Sequence, residues 1–125
     1  MINYVIKKED LSKLNFDNYN NEIISYNDEE FYQEPGNQHY RLLSYFSTLF
    51  NNSNIIDLGT HRGSSALALS YNKTNIIHTF DICDKVVNNK IKVIPNIKFY
   101  MDNIFNEDIQ VKFRELVLSC PFIFM

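Results

Sequence analysis

Polar and apolar positions along the chain fall into two regimes that meet near residue 36. Residues 1–35 are polar, rich in Asn and Tyr and without a sustained period, and Asp28-Glu29-Glu30 followed by Pro35-Gly36 reads as a loop. They are expected to form an irregular lead-in, with the folded unit spanning 36–125. Within that unit Leu42, Leu43, Tyr45, Phe46, Leu49 and Phe50 recur at helical spacing and Asn37 stands where an N-cap belongs, which predicts a helix over about 38–50. Asn51-Asn52-Ser53-Asn54 ends it. The β-branched run Asn54-Ile55-Ile56-Asp57-Leu58, bounded by turn residues, predicts a strand buried on both faces, as in a parallel sheet. Gly59 to Gly63 supplies a turn, and Ser64 to Ser70 a helix whose small residues allow close approach to the sheet. The alternation repeats with strands expected at 75–81 and 96–102, an ambiguous, at best short-helical connection over 83–93, an amphipathic helix over 107–119 and a last strand at 122–125. Strand and helix alternating in this way predict an α/β fold, a doubly wound parallel sheet with right-handed crossovers.

Composition narrows the class without choosing a function. The 125 residues are 45% hydrophobic and 14% aromatic, enough apolar area for one core and too much for a disordered chain. Twelve Lys and Arg against fifteen Asp and Glu give a net charge of −3 with neither sign gathered into a block, so no nucleic-acid partner is expected. The apolar runs fall far short of the roughly 18–20 residues of a membrane helix, and Met1 to Lys8 lacks the apolar centre of a signal peptide. A cytoplasmic protein with no membrane partner is expected. Cys83 and Cys120 lie outside any metal-ligand spacing and read as reduced thiols, with no metal site predicted. The abundance of Asn, Ile and Lys, with only two Ala, fits the AT-rich coding of many viruses and some bacteria. Pro121 to Met125 reads as the start of a buried strand, so the sheet is expected to be incomplete at the C-terminus. Its open edge would pair with another copy, giving a homo-oligomer.

In open α/β sheets ligands lie beyond the carboxyl ends of the strands. Three features fall there. Gly59 and Gly63 flank a loop at a helix start, where backbone N–H groups favour an anion. Asp81 ends the second strand, 22 positions after Gly59, placed to accept hydrogen bonds from a ribose diol. Asp102 ends the third, where an adenine amino group could donate. The spacing of Gly59 and Gly63 does not supply the G-x-G-x-x-G pattern by which a dinucleotide pyrophosphate is approached.

The stretch Ile55-Ile56-Asp57-Leu58-Gly59-Thr60-His61-Arg62-Gly63-Ser64-Ser65-Ala66-Leu67-Ala68-Leu69, followed by Phe80-Asp81-Ile82, resembles the first two motifs of class I S-adenosylmethionine-dependent methyltransferases. Within them it looks most like the small-molecule O-methyltransferases of the catechol type, whose first loop runs acid-x-Gly-x-x-x-Gly-x-Ser. The resemblance implies a Rossmann-like domain of which 36–125 is the N-terminal portion, S-adenosylmethionine as cofactor and a small-molecule or sugar hydroxyl as methyl acceptor. It implies that Gly59 lets the backbone approach the methionyl part, in one loop with Thr60, His61 and Gly63. Asp57 would position that loop or face the cofactor's amino group, Ser65 would bind its carboxylate, Asp81 both ribose hydroxyls, and Asp102, with Asn103, the adenine. His61 stands where most of the superfamily has Gly, whereas the catechol branch often has a bulky residue. In that branch a divalent metal is held by an acid after the fourth strand, so the catalytic residues and any metal ligands would lie outside this chain.

Other readings stay open. One is a truncated or non-catalytic S-adenosylmethionine-binding protein, or a phage-type protein that degrades S-adenosylmethionine; another is a different nucleotide-binding α/β enzyme. Asp57 could be a buried acid capping the turn, and His39 and Tyr40 could close over the cofactor or merely pack. His78, midway along a strand, is expected to be a satisfied sheet-face histidine.

Overall fold

The computed structural model describes residues 5–14 and 36–125. Its elements in chain order are α1 (Lys8–Ser12), α2 (Gly36–Thr48), β1 (Asn54–Leu58), α3 (Ser64–Leu69), β2 (Ile76–Asp81), α4 (Asn89–Lys92), β3 (Ile97–Met101), α5 (Glu107–Val117) and β4 (Ile123–Phe124). The four strands form one all-parallel sheet in the order β3-β2-β1-β4, a Rossmann-like arrangement with helices packed on both faces. Because β2 and β3 extend the sheet to one side of β1 and β4 to the other, the switch point lies between β1 and β4. Among the described residues no helix is long and apolar enough to cross a membrane.

Side-chain alternation on β1 and β2 builds two cores. Ile55 and Ile77 join Leu43, Leu67, Leu69, Ile91 and Ile97 in the larger one, under α2 and α3. Ile56 and Phe80 point to the opposite face and pack with Leu116 of α5. There Phe80 stacks on Tyr100 with ring centres 4.6 Å apart and meets the edge of Phe113 at 5.5 Å. Three fully buried residues of α3, Ala66, Ala68 and Leu69, let this helix lie close to the strands.

Local chemistry accounts for what the periodicity did not mark. α1 falls in the lead-in expected to be irregular; its first turn is closed by the Lys7 N–H donating to the Asp10 carboxylate at 3.2 Å, and Leu14 just beyond it packs on the larger core. The loop read at Asp28 to Pro35 lies outside the described residues. α2 begins at Gly36, which puts Asn37 inside its first turn and not at its cap. It ends where the Ser47 and Thr48 hydroxyls donate to carbonyls three residues back, at 2.8 and 2.6 Å. α4 is a single turn, held by Asn88 Oδ1 accepting the Lys90 N–H at 3.0 Å.

The abundant asparagines have structural uses as well. Asn75 Nδ2 donates to the Ser47 and Phe50 carbonyls at 2.8 and 3.1 Å, and Asn72 Nδ2 to that of Phe50 at 2.7 Å. These bonds tie the end of α2 to the entry of β2, at the end of the sheet opposite the glycine turn.

Candidate functional site

Beyond Leu58 the chain turns from β1 into α3 through Gly59 (φ 89°), His61 (φ 46°) and Gly63 (φ 92°), all left-handed. A Cβ on Gly59 would meet nothing within 4 Å, so this glycine leaves open space before the backbone. At Gly63 a Cβ would lie 3.3 Å from Ile91 Cγ2, so the second glycine serves packing. His61 takes a conformation that costs a non-glycine residue about 1 kcal/mol or more. Its N–H donates to Asp81 Oδ2 at 2.8 Å, while the N–H groups of Gly59 and Thr60 donate to the Phe80 carbonyl at 2.8 and 3.2 Å. The end of β2 thus holds the turn in shape.

Beneath the turn lies a chain of hydroxyls ending on a carboxylate. Sheet register places Asp57 directly opposite Thr79, and both are wholly buried. Asp57 Oδ2 accepts from Thr79 Oγ1 at 2.7 Å and from Ser65 Oγ at 3.1 Å; Thr79 Oγ1 lies 2.6 Å from Thr60 Oγ1. Asp57 Oδ1 is buried without a hydrogen-bond partner. Burial pushes the Asp57 carboxyl above the ordinary carboxylate range; the two hydroxyls offset part of that rise, and the charge of Asp81 adds to it. Asp57 thereby grips Ser65 on α3 and Thr79 on β2.

Asp81 differs in environment. Burial alone would raise it, but the N–H groups of His61, Cys83 and Ile82, with Lys85 nearby, hold its carboxyl below the usual value. It is half-buried, at the strand end beside the turn, and keeps lone pairs to accept further hydrogen bonds.

A cleft of about 190 Å³ opens at the switch point, lined by Gly59, Thr60, His61, Arg62, Ser64 and Ser65 of the turn, His39 and Tyr40 of α2 and Phe124 of β4. The His39 ring lies against Tyr40 and Phe124, with centres 5.4 and 5.6 Å apart. Of the sequence-predicted residues, Gly59, Thr60, His61 and Ser65 line the cleft, Asp57 and Gly63 lie behind them, and Asp81 borders the turn. Asp102 stands apart: β3 is two strands from β1, about 10 Å away, and its exposed carboxylate accepts the Asn103 N–H at 2.7 Å and Asn106 Nδ2 at 2.8 Å, shaping the entry to α5. Sequence reasoning missed Thr79 and Phe124. A polar residue inside an apolar strand was the one available sign of Thr79. Among the described residues no three His, Cys, Asp or Glu side chains gather as a metal site requires.

Fold and cleft together define the class: a Rossmann-like α/β domain with a glycine turn, a strand-end acid and a cleft at the switch point of the sheet. No protein-family model, curated protein or solved structure matches the chain.

Proposed function

We propose that this chain carries the cofactor-binding half of an S-adenosylmethionine-dependent methyltransferase whose acceptor is a small-molecule or sugar hydroxyl. One observation carries the reading: a left-handed turn with open space before Gly59 sits at the switch point, fastened by its His61 N–H to the half-buried strand-end acid Asp81. An open backbone beside an acid able to accept from a diol supports an adenosyl amino acid as the ligand.

The cleft is smaller than the roughly 300–1,000 Å³ of pockets that enclose a drug-sized ligand. Its 190 Å³ suit the amino-acid end, with the ribose reaching out to Asp81. S-adenosylmethionine supplies an activated methyl group on a sulfonium centre. The residues of this chain bind and orient: Gly59 admits the methionyl region, Asp81 accepts from the ribose hydroxyls, and His39, Tyr40 and Phe124 wall the amino-acid end from solvent. Rate enhancement of a methyl transfer rests largely on such positioning.

Calorimetry with S-adenosylhomocysteine tests the reading. Micromolar binding is expected, weakened about tenfold or more in Asp81→Asn, which keeps one oxygen for the His61 N–H and loses the charge that strengthens bonds to the diol. No heat of binding, or equal affinity in the variant, refutes it. Tighter binding of ATP or NADH would point to another nucleotide enzyme.

A further inference from the structure

β4 is the shortest strand of the sheet. Only Ile123 and Phe124 pair with β1, opposite Ile56 and Asp57, whereas β1 and β2 pair over the whole run from Asn54 to Leu58. Pro121, just before it, has no N–H to give a neighbouring strand. Ile123, on the α5 face with Ile56, is 38% exposed, and Met125 is 85% exposed. What holds this strand is largely aromatic. Phe122 and Phe124 point to the α2 side and pack on the larger core. The Phe122 ring lies 5.4 Å from that of Phe50 and 6.0 Å from that of Phe46, and the Phe124 ring lies 5.6 Å from that of His39. Phe124 lines the cleft and Phe122 does not. Two residues apart on so short a strand, they dock or leave together. A segment with a short ladder and half-exposed side chains opens at less cost than the whole fold, and opening of β4 takes Phe124 out of the cleft wall. A ligand that touches Phe124 binds the docked form and shifts the balance toward it.

We propose that β4 is a strap, latched by Phe122 against Phe46 and Phe50, whose docking completes the cleft wall at Phe124 and is tightened by the ligand. Phe122 is then a positioning residue that acts on the ligand through Phe124. The identity of the ligand rests on the reading above; the latch rests on the packing of β4 itself.

The experiment uses the 125-residue chain, wild type, Phe122→Ala and Phe122→Leu, with two probes: S-adenosylhomocysteine and 5′-methylthioadenosine, which has no amino-acid end. Amide exchange followed by NMR reads the strap, and calorimetry reads the affinities. In the wild type the amides of β4 that pair with β1 should exchange at least about tenfold faster than those shared by β1 and β2, and saturating S-adenosylhomocysteine should slow them about fivefold or more. Phe122→Ala should speed exchange in β4 while leaving β1 and β2 unchanged. It should weaken S-adenosylhomocysteine about tenfold, as a docked fraction reduced to about a tenth requires, and leave methylthioadenosine within about twofold. Phe122→Leu, which keeps an apolar latch, should stay within about threefold of wild type for both probes. β4 exchanging as slowly as β1, exchange accelerated equally in all strands of Phe122→Ala, or equal losses for the two probes would make Phe122 an ordinary core residue and overturn the proposal. S-adenosylhomocysteine that binds without slowing β4 overturns the strap while the cofactor reading stands. If the wild type binds neither probe, that reading fails and the ligand-tightened strap fails with it.

Discussion

Lowering the pH from 7.5 to 5 is expected to destabilise this fold by about 2 kcal/mol through His78 alone. The side chain is 3% exposed on the α5 face of β2, with Nε2 3.0 Å from Asn54 Oδ1 and Nδ1 3.0 Å from the Tyr100 hydroxyl. Asn54 Oδ1 can only accept, so Nε2 carries the proton and Nδ1 accepts from Tyr100. The neutral ring is thus fully paired. Charging it costs burial and brings it against Lys98 and Lys112, which together lower its pKa from 6.5 to about 4. In the unfolded chain the ring binds a proton near pH 6.5, whereas in the folded protein it does so only near 4. The stability it contributes is therefore complete above about pH 6.5 and is lost as the pH falls toward 4. At about 1.36 kcal/mol per proton and pH unit, the loss reaches about 2 kcal/mol at pH 5 and about 3 at pH 4.

Urea unfolding followed by circular dichroism, run between pH 7.5 and 5 on wild type and His78→Gln, measures this directly. Glutamine is neutral throughout, so the difference between the two curves cancels the other titrating groups. The wild-type advantage should shrink by about 2 kcal/mol over the interval. A constant difference, or an imidazole that titrates near 6.5 by NMR in the folded protein, would refute the account of a paired, desolvated ring.

Two further predictions concern packing and the turn. Phe80→Ala should cost about 3–5 kcal/mol by equilibrium denaturation, since it removes a 1%-exposed ring from between Tyr100 and Phe113. Gly59→Ala and Gly63→Ala should each cost about 1 kcal/mol for the left-handed backbone. Gly63→Ala should cost more of the two, because its methyl group meets Ile91 at 3.3 Å; that of Gly59→Ala enters open space, so its larger effect should fall on S-adenosylhomocysteine affinity. Equal stability losses, with unchanged affinity in Gly59→Ala, would count against separate roles for the two glycines.

Much of this fold could be read from polarity alone, because its central strands β1 and β2 are buried on both faces and the helices α2 and α5 on one. The run from Asn54 to Leu58 could hardly be anything but a central parallel strand, and the order β3-β2-β1-β4 makes it one. α1, closed by local polar contacts of Asp10 and without an apolar period, was not legible, whereas the single turn α4 falls in the stretch read as at best short-helical. The same division runs through the site. Gly59 and Asp81 could be read because both are punctuation at the end of a strand. Thr79 could not, since its importance comes from standing opposite Asp57 in the sheet register, a pairing that exists only after two strands have met. Asp102 has the same strand-end signature as Asp81; what separates them is the place of β3 at the far edge, a property of the sheet and not of the local sequence.

Asp57 and Asp81 carry that point into electrostatics. They lie on neighbouring strands with similar local sequence settings, yet their carboxyl groups are driven in opposite directions. For Asp57, raised chiefly by burial, the folded protein holds the proton more tightly than the unfolded chain, so its contribution to stability is present at low pH and declines as the pH rises through its folded value. For Asp81, whose backbone N–H partners outweigh burial, the contribution is present at neutral pH and is lost only as the pH falls through a value below the ordinary one. The buried acid is thus suited to organising hydroxyls, and the half-buried one to remaining charged at the strand end beside the turn. A turn braced by one carboxyl group and bordered by a second explains how five residues, three of them left-handed, hold a fixed shape at the mouth of a cleft.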